Sequence, residues 1–179
     1  MKRKQPDFTI VVDTREQFPL VFDRFAALGV STVRRKLQTG DYSIDGFERQ
    51  IVIERKSLND CVSTLTHGRE RFTREIYDRS IFTPVKLLVV EASWQELAHP
   101  YDFAPGANPK SIINSLFAIM MPPAGFHVFC DPNRDVIAWF VVKFCYMFLH
   151  RAHHSSAGIW RALFDQNAAE IPPFQKDSK

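Results

Sequence analysis

The stretch GDYSIDGFERQIVIERKSLND, Gly40 to Asp60, decides how the chain is read. Asp45-Gly46 is a turn signal between two short segments rich in β-branched and aromatic residues, Tyr42 to Ile44 and Gln50 to Arg55, so the stretch reads as two neighbouring strands. Side chains alternate along a strand, which sends Glu54 and Lys56 to one face and Arg55 to the other. The turn folds Asp41, at the start of the first strand, back beside Glu54. From Ser57 onward the spacing changes to that of a helix, with Leu58, Cys61, Val62 and Leu65 on one side.

Working outward, Phe8 to Val12 is a buried strand that delivers Asp13 at its carboxyl end. Pro19 to Leu28 is helical or irregular and stops at Gly29. Ser31 to Leu37 reads as a strand, and with the two strands of the central stretch it is expected to form an antiparallel meander. Gly68 interrupts before a second helix carrying Phe72 and Ile76. Val85 to Val90 is a buried strand, followed by a short helix near Trp94 to Leu97 and a loop from Pro100 to Pro109. A helix from Lys110 to Met121, a strand from Phe126 to Cys130 and a helix opening at Asp131-Pro132 complete the pattern. Strands with helices packed around them make the chain α/β, with a central mixed sheet flanked by helices.

The 179 residues suit one domain with its own core, and 45% hydrophobic content argues against a disordered chain. A net charge of +3 permits a polyanionic partner without requiring one. Cys61, Cys130 and Cys145 lack CxxC spacing and their odd number fits reduced thiols, which points to an intracellular setting: cytoplasmic in a prokaryote or virus, nuclear in a eukaryote. The most apolar stretch, Val136 to Leu149, carries Lys143 and is shorter than a membrane span, so no membrane association is expected. No GxGxxG or GxxxxGK[ST] string calls for a nucleotide cofactor. The domain is expected over residues 1–160, with 161–179 a loosely held tail.

Asp41 and Glu54 converging on one pocket supply the hard oxygen ligands that Mg2+ or Mn2+ prefers. Such a cation can acidify water and polarise a phosphate, while Lys56 positions the attacking water or offsets developing charge. This D…ExK arrangement is the mark of restriction-endonuclease-like nucleases. Taken alone it is short enough to arise by chance, and a hairpin with a solvent-facing ion pair explains the isolated triad as well.

The longer pattern separates the two. DTRE at Asp13 to Glu16, GDY at Gly40 to Tyr42, IERKSLND at Ile53 to Asp60 and GRERF from Gly68 resemble, in order and spacing, the nuclease domain of the XPF-type structure-specific endonucleases. The resemblance implies the restriction-endonuclease-like fold, dependence on Mg2+ or Mn2+, and cleavage of branched DNA such as flaps, forks and junctions in repair or recombination. It implies Asp41 and Glu54 as metal ligands and Lys56 as catalytic base or electrostatic helper. Asp13 and Glu16 join the acidic cluster, Asp13 as a further ligand. By the same resemblance Arg15 and Arg55 would contact phosphate or brace the carboxylates and Asp60 would lie on the helix behind the site, while Arg69 is expected to contact DNA rather than only to take part in a solvated, salt-bridged helix. Thr73 stands where many members have glutamine. Helix-hairpin-helix motifs, with which many members continue, have no counterpart in these residues, so a protein partner is expected to supply that function. A Holliday-junction resolvase, a restriction-type enzyme and a catalytically silent DNA-binding subunit are the alternatives on this scaffold.

Apolar residues run almost around the helix of residues 132–150. Such a helix needs cover on more than one side: the Lys110 to Met121 helix and the C-terminal tail would provide it within one chain, and the expected alternative is a homodimer in which Trp139, Phe140 and Phe144 meet their own copies.

Overall fold

The computed structural model describes residues 7–66, 72, 83–99, 106, 108–122 and 124–154. Six strands form one mixed sheet: β1 (Phe8–Val12), β2 (Val30–Arg34), β3 (Tyr42–Ile44), β4 (Ile51–Ser57), β5 (Val85–Glu91) and β6 (Phe126–Cys130). Their order is β2-β1-β3-β4-β5-β6. β3 is antiparallel to both neighbours, whereas β1–β2, β4–β5 and β5–β6 are parallel pairs. The carboxyl ends of five strands and the amino end of β3 therefore share one edge of the sheet. Asp13, Asp41, Lys56 and Glu91 all sit there, at the crevice where open α/β sheets place their ligands.

The expected meander does not form. β2 leaves β1 through the 3-10 helix Asp23–Leu28, which buries Phe25 and ends at Gly29 with φ 80°, and it returns parallel to β1 as an edge strand. The Thr39-Gly40-Asp41 segment is not a hairpin turn between β2 and β3. Gly40, at φ 77°, presses the backbone against β4, and a Cβ there would lie 2.3 Å from Cγ2 of Val52 and 3.0 Å from the Ile53 oxygen. That close approach lets Asp41 N–H donate to the Ile53 carbonyl at 2.9 Å.

Strand alternation creates two cores. Ile10, Val12, Tyr42, Ile53, Leu87 and Val89 face a first core beneath Ile137, Val141, Cys145 and Phe148 of α4 (Arg134–His154). Leu88 and Val90 face a second, closed by Cys61, Val62 and Leu65 of α1 (Leu58–Thr66) and by Ile112 and Leu116 of α3 (Pro109–Met120). The short α2 (Trp94–Ala98) is held by a capping box, in which Ser93 Oγ accepts from Glu96 N–H while the Glu96 carboxylate accepts from Ser93 N–H.

α4 begins later than its Asp-Pro signal predicts. Asn133 caps it, its side chain accepting Asp135 N–H at 2.8 Å, while Asp131 in turn accepts Asn133 N–H at 2.8 Å. Its aromatic cover also differs from the expectation. Phe140 lies flat on Phe129 of β6, with centroids 3.7 Å apart, and Phe144 meets His127 edge-on. Both residues thus have partners within the chain, leaving Trp139, 53% exposed, and Met147, 40% exposed, as the open part of the helix. No helix among the described residues is long and apolar enough to cross a membrane.

Candidate active site

Asp41, Glu54 and Lys56 come together at the carboxyl edge. Tyr42 and Ile53 face the first core, so Asp41 and Glu54, each one residue away, project from the opposite side of the sheet. Oδ2 of Asp41 accepts the backbone N–H of Arg55 at 2.8 Å. Lys56 Nζ donates to Oε1 of Glu54 at 3.2 Å and lies 5.3 Å from the ring centroid of Phe72. The ion pair is not solvent-facing, since the two side chains are only 15% and 9% exposed.

Two carboxylates in this setting are reluctant to ionise together. Burial, followed by the Asp41 charge, raises Glu54 to about 8. Burial raises Asp41 to about 6, opposed by the Arg55 N–H and augmented by the Glu16 charge. A cation between them would relieve both penalties.

The other acids of the sequence pattern are placed as braces. Asp13 is 1% exposed and its oxygens receive four donors: the N–H and Nε of Arg15 on Oδ1, and a terminal nitrogen of Arg15 and Leu37 N–H on Oδ2. Burial works against its ionisation, but these hydrogen bonds outweigh it and hold the group below the ordinary carboxylate range. Asp13 is tied to the site through its backbone, its N–H donating to the Asp41 carbonyl at 2.8 Å.

Glu16 belongs to a network on the Arg55 side. Arg55 contacts Glu16 at 3.1 Å and Glu91 at 2.9 Å, and Glu91 also pairs with Arg134. Burial opposes the Arg55 charge, but the Glu16 hydrogen bond and both acids raise its pKa overall. Arg134 then donates to the carbonyls of Phe18, at 2.7 Å, and Pro19, at 3.0 Å. Asp60 accepts from Ser57 Oγ at 2.7 Å, and that same oxygen caps α1 by accepting Asp60 N–H. Arg69 lies outside the described residues.

Glu91 and Arg134 escaped the sequence reading. The available signal was an acid closing the buried run VKLLVVE, at the same end of its strand as Asp13 and Lys56.

No three His, Cys, Asp or Glu side chains form a metal cage among the described residues. What remains is the Asp41–Glu54 pair, and one or two carboxylates completed by water is the donor set Mg2+ accepts.

The ERCC4 domain model matches residues 12–143, a span running from the end of β1 into α4. The chain belongs to the ERCC4 domain family. This makes it a member of a nuclease family, and the mixed six-stranded sheet agrees with the restriction-endonuclease-like fold. Among solved structures, the ERCC4 domain is similar to XPF from Aeropyrum pernix at 19% identity and TM-score 0.60, with 81% of this chain and 67% of that chain covered. It is also similar to XPF from Aeropyrum pernix in complex with DNA, at 20% identity and TM-score 0.58, covering 92% of this chain and 76% of that one. Likeness at such identity speaks for the fold. No curated protein sequence matches the chain.

Proposed function

We propose that this ERCC4 domain is a DNA endonuclease dependent on Mg2+ or Mn2+, hydrolysing phosphodiester bonds in branched DNA during repair or recombination. The observation that carries the reading is the buried Asp41–Glu54 pair with Lys56 held against it at 3.2 Å. Asp41 and Glu54 would hold the cation, which supplies Lewis acidity toward the phosphate and a more acidic water.

The protein's own groups do the positioning. Arg55 N–H fixes the Asp41 carboxylate, leaving its other oxygen for a ligand. Lys56 is kept at the pocket by Glu54 and by the face of Phe72. From there it can orient a water or donate to a phosphoryl oxygen whose charge grows in the transition state. Asp13 and Arg15 neutralise each other and stiffen the adjoining strand end.

The similar XPF described in complex with DNA supports a DNA substrate, and the XPF-type sequence pattern supports a branched one. A homodimer through α4 fits the exposure of Trp139 and Met147, and a protein partner would supply additional DNA contacts. On this reading the enzyme works inside a cell, in cytoplasm or nucleus according to the host, and the three cysteines without CxxC spacing support that setting.

A panel of labelled linear, flap, fork and four-way DNA with Mg2+ or Mn2+ tests the reading. Branched substrates are cut in preference to linear duplex, and excess chelator abolishes the activity. Equal cutting of linear and branched DNA points to a restriction-type enzyme, paired symmetrical cuts in four-way DNA to a resolvase, and binding without cutting to a silent subunit.

A further inference from the structure

We infer that Phe18 is a stacking platform for an unpaired nucleobase at the same end of the sheet as the nuclease site, on its Arg55 side, and that the adjoining cleft receives that base. The inference rests on the reading of the chain as a DNA nuclease and names what it recognises beyond the phosphate.

Phe18 is 69% exposed, the most exposed of the large hydrophobic residues among those described. An exposed aromatic ring alone needs no explanation. Here, however, its backbone is fixed at both ends: the N–H donates to Oε1 of Glu16 at 2.7 Å, and the carbonyl accepts from Arg134 at 2.7 Å. Glu16 is in turn bound by Arg55, whose own N–H holds Asp41. A continuous chain of bonds therefore ties the Phe18 backbone to the carboxylate proposed to bind metal. Fixing the main chain in advance lowers the ordering cost of any contact the ring makes.

Phe18 lines an open cleft of about 660 Å³, within the size class of small-ligand clefts. Its walls include Gln17, Phe18, Ser57, Asp60 and Arg134, so it opens where β4 passes into α1, one residue beyond Lys56. The chemistry of these walls selects the occupant. Arg55 and Arg134 are matched by Glu91 and Asp60, and both arginines already engage Glu91. Such a cavity has no surplus positive charge to attract phosphate. It offers an aromatic face together with amide, hydroxyl and carboxylate groups, which suit a neutral, polar, planar ring. A nucleobase freed from pairing has those properties, whereas a base inside a duplex cannot present its face.

Phe18→Ala, Phe18→Leu and Phe18→Trp test this in chelator, where no cleavage occurs, with single-stranded oligothymidylate and a fully paired blunt-ended duplex as probes. Phe18→Ala and Phe18→Leu weaken oligothymidylate binding by about 5- to 150-fold, the range of base–aromatic stacking, and leave binding of the blunt-ended duplex unchanged. Phe18→Trp binds like the parent, and oligothymidylate quenches its emission beyond the change seen in the parent protein. Equal losses on both probes, no loss in Phe18→Ala, or parent-like binding by Phe18→Leu would overturn the stacking role. If the parent cuts branched DNA while Phe18→Ala cuts and binds identically, only the stacking role fails. A parent that binds neither probe nor any branched DNA overturns the nuclease reading as well.

Discussion

The backbone N–H of Arg55 donates to Oδ2 of Asp41 at 2.8 Å while the Arg55 guanidinium grips Glu16 at 3.1 Å on the other side of the sheet. One residue thus fixes a proposed metal ligand with its main chain and stiffens the neighbouring loop with its side chain. Removing the side chain separates these roles. Arg55→Met leaves Glu16 buried without its counter-charge and Glu91 with Arg134 alone, at a cost of about 3 kcal/mol, or a fall in Tm of roughly 10 °C. Arg134, 41% exposed at its side chain, is the contrast, and Arg134→Met costs about 1 kcal/mol or less. Thermal melts of both variants check the order, and a larger loss for Arg134→Met would contradict it.

Gly40 should tolerate no side chain. Its φ of 77° already costs an L-residue about 1–2 kcal/mol. A Cβ would also push against Val52 and the Ile53 carbonyl, displacing the neighbouring Asp41. Gly40→Ala is expected to melt lower and to lose a greater share of metal-dependent cleavage than its stability loss explains. Melting and cleavage measured together decide this; parent-like values for both would show that the close approach is dispensable.

In chelator, the raised carboxylates make the protein less stable as pH rises. The unfolded groups titrate near 3.8 for Asp41 and 4.5 for Glu54, whereas in the folded chain burial lifts them to about 6 and about 8. The folded state therefore holds those protons more tightly, and the stability they contribute is present below pH 4 and lost as pH climbs to about 8. Asp13 acts in the opposite direction, since its lowered pKa contributes stability above about 3.8 that is lost in acid. Glu54→Gln isolates the first effect: its Tm relative to the parent should rise steadily between pH 5 and 9. A difference independent of pH would remove the linkage. Added Mn2+ should stabilise the parent more at pH 8 than at pH 6, because binding displaces protons.

Much of this architecture is legible locally. β1, β5 and β6 announce themselves as short apolar runs, and α1 by the spacing of Cys61, Val62 and Leu65. The Asp41, Glu54 and Lys56 grouping follows from strand alternation and one turn. Strand order is not local: β2 lies beside β1 because a 3-10 helix with buried Phe25 carries the chain back, and nothing within Val30–Arg34 itself encodes that partner. The XPF-type resemblance implies Asp13 as a ligand, but Arg15, two residues on, curls back and occupies both its oxygens. The Arg55–Glu91–Arg134 network joins residues far apart in sequence, where no pairwise pattern exposes it.

The proposed roles of Asp41 and Lys56 differ in the step each serves. Lys56→Ala should bind a labelled DNA fork within about threefold of the parent yet cut it at least 100-fold more slowly, since its contribution belongs to the transition state. Asp41→Asn should lose both Mn2+ affinity and cutting while retaining a cooperative melt. Single-turnover cleavage of that fork in saturating Mg2+, run for the parent and both variants with binding measured on the same samples, is the most direct test. The account predicts rapid cutting by the parent alone, with DNA still bound by Lys56→Ala. Parent-like cutting by Asp41→Asn or Lys56→Ala, or undiminished cutting by the parent in excess chelator, would contradict it.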